Sequence, residues 1–329
     1  MTRVLYVHNS KASFVAIDRE ILAGRYEIED LYQPGRWPNP HAVVAGVLRA
    51  DLVFGWFASW HTFFPTTLAW LLRKPSVMVI GGFDTANMPD IGYGYQQGGL
   101  RRWASRWIMK RAGRLATNSR YSLAEIERNT PVPPGRVAVI HHGVPDRFGE
   151  LPSEPKARLA LNVGAINRGT LVQKGQVPFV EAAARLPDVR FTLVGKWLDD
   201  AVEELRQKAT DNVELTGWAS DGELDDWYRR AAVYVQASRH EGFGVAVAEA
   251  MLGGCVPVVT DVTALPELVG DAGVLISSQA PDEVADGVRR ALELGEEARR
   301  RARERIVREF PLEGRRRGIL RLVEEALSR

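Results

Sequence analysis

The sequence predicts two α/β domains, each a parallel sheet covered by helices, and three observations carry that prediction. The chain has 329 residues, more than one hydrophobic core usually accommodates, so two cores of similar size are expected. Short apolar runs rich in β-branched residues alternate with longer amphipathic stretches, the pattern of strand–helix–strand units. The alternation halts at one polar, turn-rich segment, Asp146–Pro155, and then restarts. The domain boundary is therefore placed there, with residues 1–150 in the first domain and the second starting at 151.

In the first half, Arg3–His8, Asp51–Phe57, Ser76–Gly81, Leu115–Asn118 and Val137–His141 read as strands. Helical patterns fall near Phe14–Ala23, Pro65–Arg73, Leu100–Arg111 and Ser122–Asn129. In the second half the strands are Ala157–Val163, Val189–Val194, Val213–Thr216, Val233–Ala237, Val256–Thr260 and Val274–Ile276. Two such sheets are expected to face each other across a cleft, because open parallel sheets bind ligands beyond the carboxyl ends of their strands.

Composition narrows the function classes. Abundant apolar residues together with abundant Gly and Pro mark a globular chain, neither disordered nor fibrous. A net charge of +2 offers no electrostatic reason to expect nucleic acid. The single cysteine, Cys255, rules out a disulfide framework and reads as a small buried hydrophobe in a reducing compartment. Met1–Arg3 runs straight into the strand-length segment Val4–Val7 with no cleavage-site pattern, and no apolar run approaches the ~18 residues that span a bilayer. The reading is a cytoplasmic protein, with room for peripheral contact at the inner membrane face.

The most informative stretch is Glu241-Gly242-Phe243-Gly244-Val245-Ala246-Val247-Ala248-Glu249, which hands a buried strand over to a helix. Gly242 and Gly244 carry no side chain, so backbone N–H groups and the positive helix end can approach an anion such as a diphosphate. Glu249, just inside the helix, suits two hydrogen bonds from vicinal hydroxyls such as a ribose's, while Glu241 on the loop lies nearer a sugar. The competing reading makes Glu241 a solvated loop residue and Glu249 a surface helix residue.

A second cluster stands at Leu161-Asn162-Val163-Gly164, which ends a strand and leads through a polar loop bearing Arg168 to Lys174-Gly175 at a helix start. Two cations beside a helix N-terminus stabilise the charge that develops on a departing diphosphate more than the charge of the intact donor. The competing reading is a solvated loop with ordinary surface cations.

The run from Glu241 to Glu249, continued by Ala250-Met251-Leu252-Gly253-Gly254-Cys255-Val256-Pro257-Val258-Val259, resembles glycosyltransferase family 4, whose members pair two glutamates across seven residues. The resemblance runs on through Pro266-Glu267 to Phe310-Pro311-Leu312-Glu313, and the step from Arg168 to Lys174 is similar to the family's diphosphate-binding pair. It implies a GT-B fold of two Rossmann-like domains, with a last helix, here 312–329, crossing back to the first domain and leaving 151–311 as the nucleotide-sugar domain. It also implies retaining transfer of a sugar from a UDP- or GDP-linked donor to a hydroxyl on a glycan, lipid-linked sugar or small glycoside. In that scheme the departing phosphate oxygen takes the acceptor's proton, so no dedicated base is needed, and the cations stand in for a metal. Gly164, Gly242, Phe243, Gly244 and Val245 would line the donor site, and Trp218, after Gly217, would lie beside the base.

The first half departs from the family pattern. Instead of a glycine-rich turn, the first strand is followed by His8-Asn9-Ser10-Lys11-Ala12-Ser13, which makes His8 an acceptor-side candidate by position alone. Gly81-Gly82-Phe83-Asp84 keeps the aspartate of the family's His-Asp step without the histidine. Asp84 is thus an acceptor-side candidate, with local capping of the turn as the alternative. His142, in Ile140-His141-His142-Gly143-Val144, sits where the family has Pro-Asn-Gly-Val and is weighed against a packed histidine. Glu267, next to Pro266, reads as ordering its own helix start.

Leu100–Arg111 places Trp103 and Trp107 on one helical face among cations, a pattern that either lies on anionic lipid or packs its tryptophans against the sheet. Two rival functions stay open: a GT-B epimerase or phosphorylase, and a non-catalytic sugar-nucleotide-binding partner. A Rossmann dehydrogenase is disfavoured, since neither half has G-x-G-x-x-G after its first strand. Donor sugar, acceptor and oligomeric state are not encoded in any motif.

Overall fold

A computed structural model describes residues 1–35, 39–151 and 155–328. The chain forms two compact units, Met1–Gly143 with the segment from Leu312 onward, and Val144–Pro311. Unit 1 runs β1 (Arg3–His8), α1 (Ser13–Ala23), β2 (Glu27–Tyr32), α2 (Pro40–Arg49), β3 (Leu52–Trp56), α3 (Trp60–Leu71), β4 (Ser76–Ile80), α4 (Gly99–Arg111), β5 (Arg114–Thr117), α5 (Arg120–Asn129) and β6 (Val137–Val139). Unit 2 runs β7 (Ala157–Val163), α6 (Arg168–Gln173), α7 (Gln176–Ala182), β8 (Arg190–Val194), α8 (Ala201–Lys208), β9 (Val213–Gly217), α9 (Asp221–Arg230) and β10 (Ala231–Gln236). It continues through α10 (Val245–Leu252), β11 (Val256–Thr260), α11 (Leu265–Val269), β12 (Val274–Ile276), α12 (Pro281–Glu293) and α13 (Gly295–Glu309), after which α14 (Leu312–Leu327) belongs to unit 1.

Both sheets have six parallel strands, ordered β2-β1-β3-β4-β5-β6 and β12-β11-β10-β7-β8-β9. Central strands such as β3, β4 and β11 are buried along their whole length, because helices cover both faces, and that is why they read as unbroken apolar runs. In each sheet the strand order reverses once, beside β1 in unit 1 and between β7 and β10 in unit 2. Chains leaving the two strands at such a point diverge to opposite faces and open a crevice at their carboxyl ends.

The structure moves two sequence-based boundaries and adds a strand and a helix. The first unit ends at Gly143, not at 150, because Val144 and Phe148 are apolar anchors, 5% and 8% exposed, in unit 2's core. The turn-forming residues around them masked that anchoring, and positions 152–154 of the same stretch lie outside the described residues. Strand β2 and helix α2 were not anticipated: β2 is a sheet edge whose sequence, EIEDLY, buries only Leu31 fully. Helix α3 begins at Trp60 rather than Pro65, started by a capping box between Ser59 and Thr62.

Helix α14 completes unit 1. Its Ile319, Leu322, Val323 and Ala326 join the core of β1, β3 and α1. Arg315, 2% exposed, donates from Nε to Asp18 Oδ1 at 2.9 Å and from Nη2 to Asp18 Oδ2 at 2.6 Å. It also donates from Nη1 to Ile140 O at 2.5 Å and sits 5.5 Å over the Trp56 ring. A buried ion pair needs such additional bonds, since desolvation of both charges otherwise outweighs their attraction.

Candidate functional site

The loops after β7 and β10 flank the strand-order reversal of unit 2, and their side chains meet. Lys174, at the carboxyl end of α6, donates from Nζ to Glu241 Oε1 at 2.5 Å. Ser238 Oγ donates to the same oxygen at 3.0 Å and Gln236 Nε2 at 3.4 Å. Among the described residues these three donors converge on Oε1. The Glu241 side chain is 12% exposed and that of Lys174 31%, so the pair is held in place yet open to solvent.

The shell behind the pair is polar and buried. Tyr234 donates to Gln236 Oε1 at 3.0 Å, and Gln236 Nε2 donates to Ser238 Oγ at 2.6 Å. Thr260 Oγ1 reaches Ser238 O at 2.5 Å, while Gln173 Nε2 reaches His240 O at 2.7 Å and so ties α6 to the Glu241 loop. Such second contacts fix the rotamers of the groups in front of them.

Two glycines are required sterically. Gly175 has φ +66° and a Cβ there would lie 2.1 Å from Ala237 O, so the α6–α7 junction packs backbone to backbone against the end of β10. Gly244 caps α10 at φ 101°, a conformation that glycine adopts at little cost. The first backbone N–H groups of α10, from Val245 on, have no partner within the helix and point their positive end into the loop.

Glu249, one turn into α10, is 12% exposed at its side chain. Tyr228 of α9 donates to its Oε2 at 3.3 Å, and Arg147 Nη1 lies 3.7 Å from Oε1. Arg147 is itself fixed by Asp225, with Nη2 donating to Oδ1 at 2.8 Å. Burial raises the Glu249 pKa above the ordinary carboxylate value, an effect opposed by Arg147 and the Tyr228 bond. Tyr228, Arg147 and Asp225 were not singled out from sequence. Arg147 is concealed in the turn-rich stretch, and Tyr228 stands beside Trp227 in a helix dominated by charged residues.

Other anticipated residues stand apart from this centre. Arg168 opens α6, but its guanidinium binds both oxygens of Asp200 at 2.7 and 2.8 Å and its side chain is 69% exposed. Residues 168–173, expected as loop, form α6 because Asn167 and Thr170 make a capping box. Gly164 ends β7, and its carbonyl accepts from Gln176 Nε2 at 3.4 Å. Gly242 lies in the turn before Phe243, which is 4% exposed and packs edge-on against Phe310 at 5.3 Å. Phe243 therefore serves the core, with only its backbone facing the loop. Trp218 follows Gly217 at the carboxyl end of β9 and is 72% exposed.

In unit 1 the acceptor-side candidates are occupied locally. Asp84, 1% exposed, accepts N–H bonds from Ala58 at 2.9 Å, Gly81 at 3.0 Å and Gly82 at 2.9 Å. Its carboxylate caps the turn after β4, and burial pushes its pKa up to about 6 against those bonds. His142, 6% exposed, stacks on Trp56 at 5.9 Å and meets Phe14 at 5.0 Å. Burial, with Arg315 and His141 nearby, holds its imidazole neutral by lowering the pKa well below the usual value. His8 ends β1, with Nε2 2.8 Å from Asp30 Oδ1 and Nδ1 2.7 Å from Ser10 O. Among the described residues no group of three or more His, Cys, Asp or Glu is arranged to hold a metal ion, and no helix is long and apolar enough to cross a membrane.

Two sequence profiles match the chain, one described as Glycosyltransferase Family 4 over residues 20–148 and one as Glycosyl transferases group 1 over residues 157–294. The O-antigen chain mannosyltransferase B of Escherichia coli is 30% identical over 196 residues, 54% of this chain and 51% of its own. The GDP-mannose:cellobiosyl-diphosphopolyprenol alpha-mannosyltransferase of Komagataeibacter xylinus is 29% identical over 250 residues, 70% of this chain and 59% of its own. The chain thus spans about half the length of the curated relatives it matches. Among solved structures, HepE of Anabaena in complex with UDP and glucose superposes with a TM-score of 0.79 at 16% identity, covering 99% of this chain and 100% of that one. Sucrose-phosphate synthase of Thermosynechococcus elongatus gives 0.79 at 17% identity over 100% of both chains. At such identities the likeness is one of fold, and that fold is GT-B.

Proposed function

The chain belongs to glycosyltransferase family 4, and from that premise we propose that it moves a sugar from a UDP- or GDP-linked donor to a hydroxyl acceptor with retention of anomeric configuration. The observation that carries the reading is the meeting of Lys174 and Glu241 at 2.5 Å beside the N-terminus of α10, with Glu249 one turn further on. The ammonium and the α10 backbone N–H groups neutralise the diphosphate, with Arg168 joining them by leaving Asp200. Glu241 Oε2 accepts a hydroxyl of the donor sugar. Glu249 accepts both ribose hydroxyls, and Trp218 offers its exposed ring to the base.

As the bond from C1 to the phosphate oxygen breaks, C1 bonds to the acceptor oxygen and the acceptor's proton passes to that phosphate oxygen. The products are a glycoside and a nucleoside diphosphate. Preplaced positive charge favours this step because the leaving group carries more charge at the transition state than in the intact donor. No metal enters the scheme. In unit 1, Asp84 acts by shaping the turn after β4 on the acceptor side, with His8 and His142 as parts of its frame. The names of the mannosyltransferase relatives and of the UDP complexes support a nucleotide sugar as donor.

The test is a thermal-shift panel of UDP- and GDP-sugars, followed by donor consumption with and without glycan, glycoside or lipid-linked acceptors. A stabilising donor whose consumption requires an acceptor supports transfer. Consumption without acceptor points to epimerase or hydrolytic chemistry, and binding without turnover to a non-catalytic partner.

A further inference from the structure

Helices α3 and α4 pack side by side in unit 1, and their outer face is both aromatic and basic. The residues of α4 that meet the interior are Ala104, Ser105, Ile108 and Met109, not the tryptophans. Trp103 is 52% exposed and stacks on Trp107 at 5.8 Å, with Phe63 5.4 Å away. Trp107 meets Trp70 edge-on at 6.0 Å. On the α3 side Phe64, Trp70, Leu71 and Leu72 are 50%, 40%, 62% and 42% exposed.

Two depressions adjoin at Leu71. One, of about 400 Å³, is an apolar groove between α2 and α3 walled by Val43, Val44, Phe64 and Leu68. The other, of about 470 Å³, is walled by Trp70, Arg73, Lys74, Arg111 and Arg114. Arg111 lies over the Trp70 ring at 4.0 Å and over Trp107 at 4.5 Å, and its Nε has no hydrogen-bond partner. The charge is mostly of one sign: no Asp or Glu occurs between Asp51 and Asp84 or between Asp90 and Glu125, where Arg101, Arg102, Arg106, Lys110, Arg111 and Arg114 cluster, and Glu325 of α14, 3.7 Å from Arg114, borders the cluster.

Water-facing surfaces normally interleave both signs and scatter their large apolar residues singly. Tryptophan favours the bilayer interface, where its ring is apolar and its N–H is wet. Clustered Arg and Lys gain from the negative potential of anionic lipid. An aliphatic groove beside the cations has no counterpart on a nucleic acid. We propose that the α3–α4 face docks unit 1 on an anionic lipid bilayer. Trp103, Phe64 and Leu71 enter the headgroup layer while Arg73, Lys110 and Arg111 take lipid phosphates. This inference concerns unit 1 alone and stands apart from the donor site of unit 2.

The full chain is floated with vesicles of phosphatidylcholine and with vesicles of phosphatidylcholine and phosphatidylglycerol in equal amounts, and tryptophan emission is followed. Comigration with the mixed vesicles alone, a blue shift, and release as salt screens the attraction are expected. Leu71→Glu with Trp103→Glu, and separately Arg73→Glu with Lys110→Glu, each weaken vesicle binding at least about tenfold. All four positions are on the surface, and thermal melts establish that both double variants are folded. Wild type that ignores the mixed vesicles, binds both kinds equally, or loses nothing in either folded variant overturns the proposal. So does capture of RNA or a protein in place of the mixed vesicles.

Discussion

Lys174 and Glu241, 67 residues apart in sequence, meet at 2.5 Å across the strand-order reversal of unit 2. The contact links the two sequence clusters proposed to carry the donor chemistry. The pair is part-buried, with Glu241 12% and Lys174 31% exposed, and Ser238 and Gln236 still hydrogen-bond the carboxylate when the lysine is replaced.

Lys174→Ala should lower kcat/KM by roughly 100-fold or more, as loss of a charge-stabilising group does, while moving the melting temperature little. Glu241→Gln keeps the shape of the carboxylate but not its charge, and should raise the KM for the sugar nucleotide while sparing the affinity for free nucleoside diphosphate. A large fall in melting temperature with unchanged turnover would make the pair structural instead.

Donor affinity should titrate on Glu249. Its folded pKa is raised by burial above the ordinary 4.5, and the ionised form is the one proposed to accept two ribose hydroxyls. As pH falls through that raised value, the dissociation constant for nucleoside diphosphate should rise, whereas Glu249→Gln should bind more weakly and without that pH dependence. Arg147→Met removes the opposing cation, so the wild-type midpoint should move further up. Calorimetric titrations across pH read each of these effects.

Asp18→Asn should destabilise unit 1 by roughly 3–5 kcal/mol, because Arg315 then keeps a buried charge without its counter-ion. Asp18→Leu combined with Arg315→Met should recover much of that loss. Denaturant unfolding of the full chain, followed at the transition of unit 1, distinguishes this from simple additivity.

The Asp84 carboxyl has its folded pKa raised from 3.8 to about 6, so its contribution to stability is fully present below the unfolded value and is lost as pH rises through the folded one. Asp84→Asn turns an NH2 toward backbone donors and should cost about 1–3 kcal/mol. The gap between wild type and variant should narrow as pH rises through about 6. Urea midpoints over a pH series test the sign.

The sequence was most readable where burial was symmetric. Strands such as Val256–Thr260 are covered on both faces and announce themselves as apolar runs. The half-exposed edge β2 has no comparable pattern, and Ser59, which starts α3, is a one-residue signal in an aromatic stretch. Within the site, glycines and carboxylates at a strand-to-helix turn were legible because their spacing follows from backbone geometry. The direction of a side chain is not so constrained: the motif containing Arg168 gave no sign that its guanidinium would bind Asp200. Nor did the motif containing Asp84 show that its carboxylate would be claimed by three N–H groups, since that choice is made by local packing.

The contribution of α14 to the core of unit 1 bears on biogenesis. Residues 144–311 form one uninterrupted stretch of chain, so that body is free to fold as soon as it clears the ribosome. Unit 1 has to wait for α14, which is made after residues 144–311, with apolar side chains of β1 and β3 uncovered in the interval. During translation, holdase chaperones should thus engage residues 1–143 longer than residues 144–311, an inversion of the usual order in which the domain made first matures first.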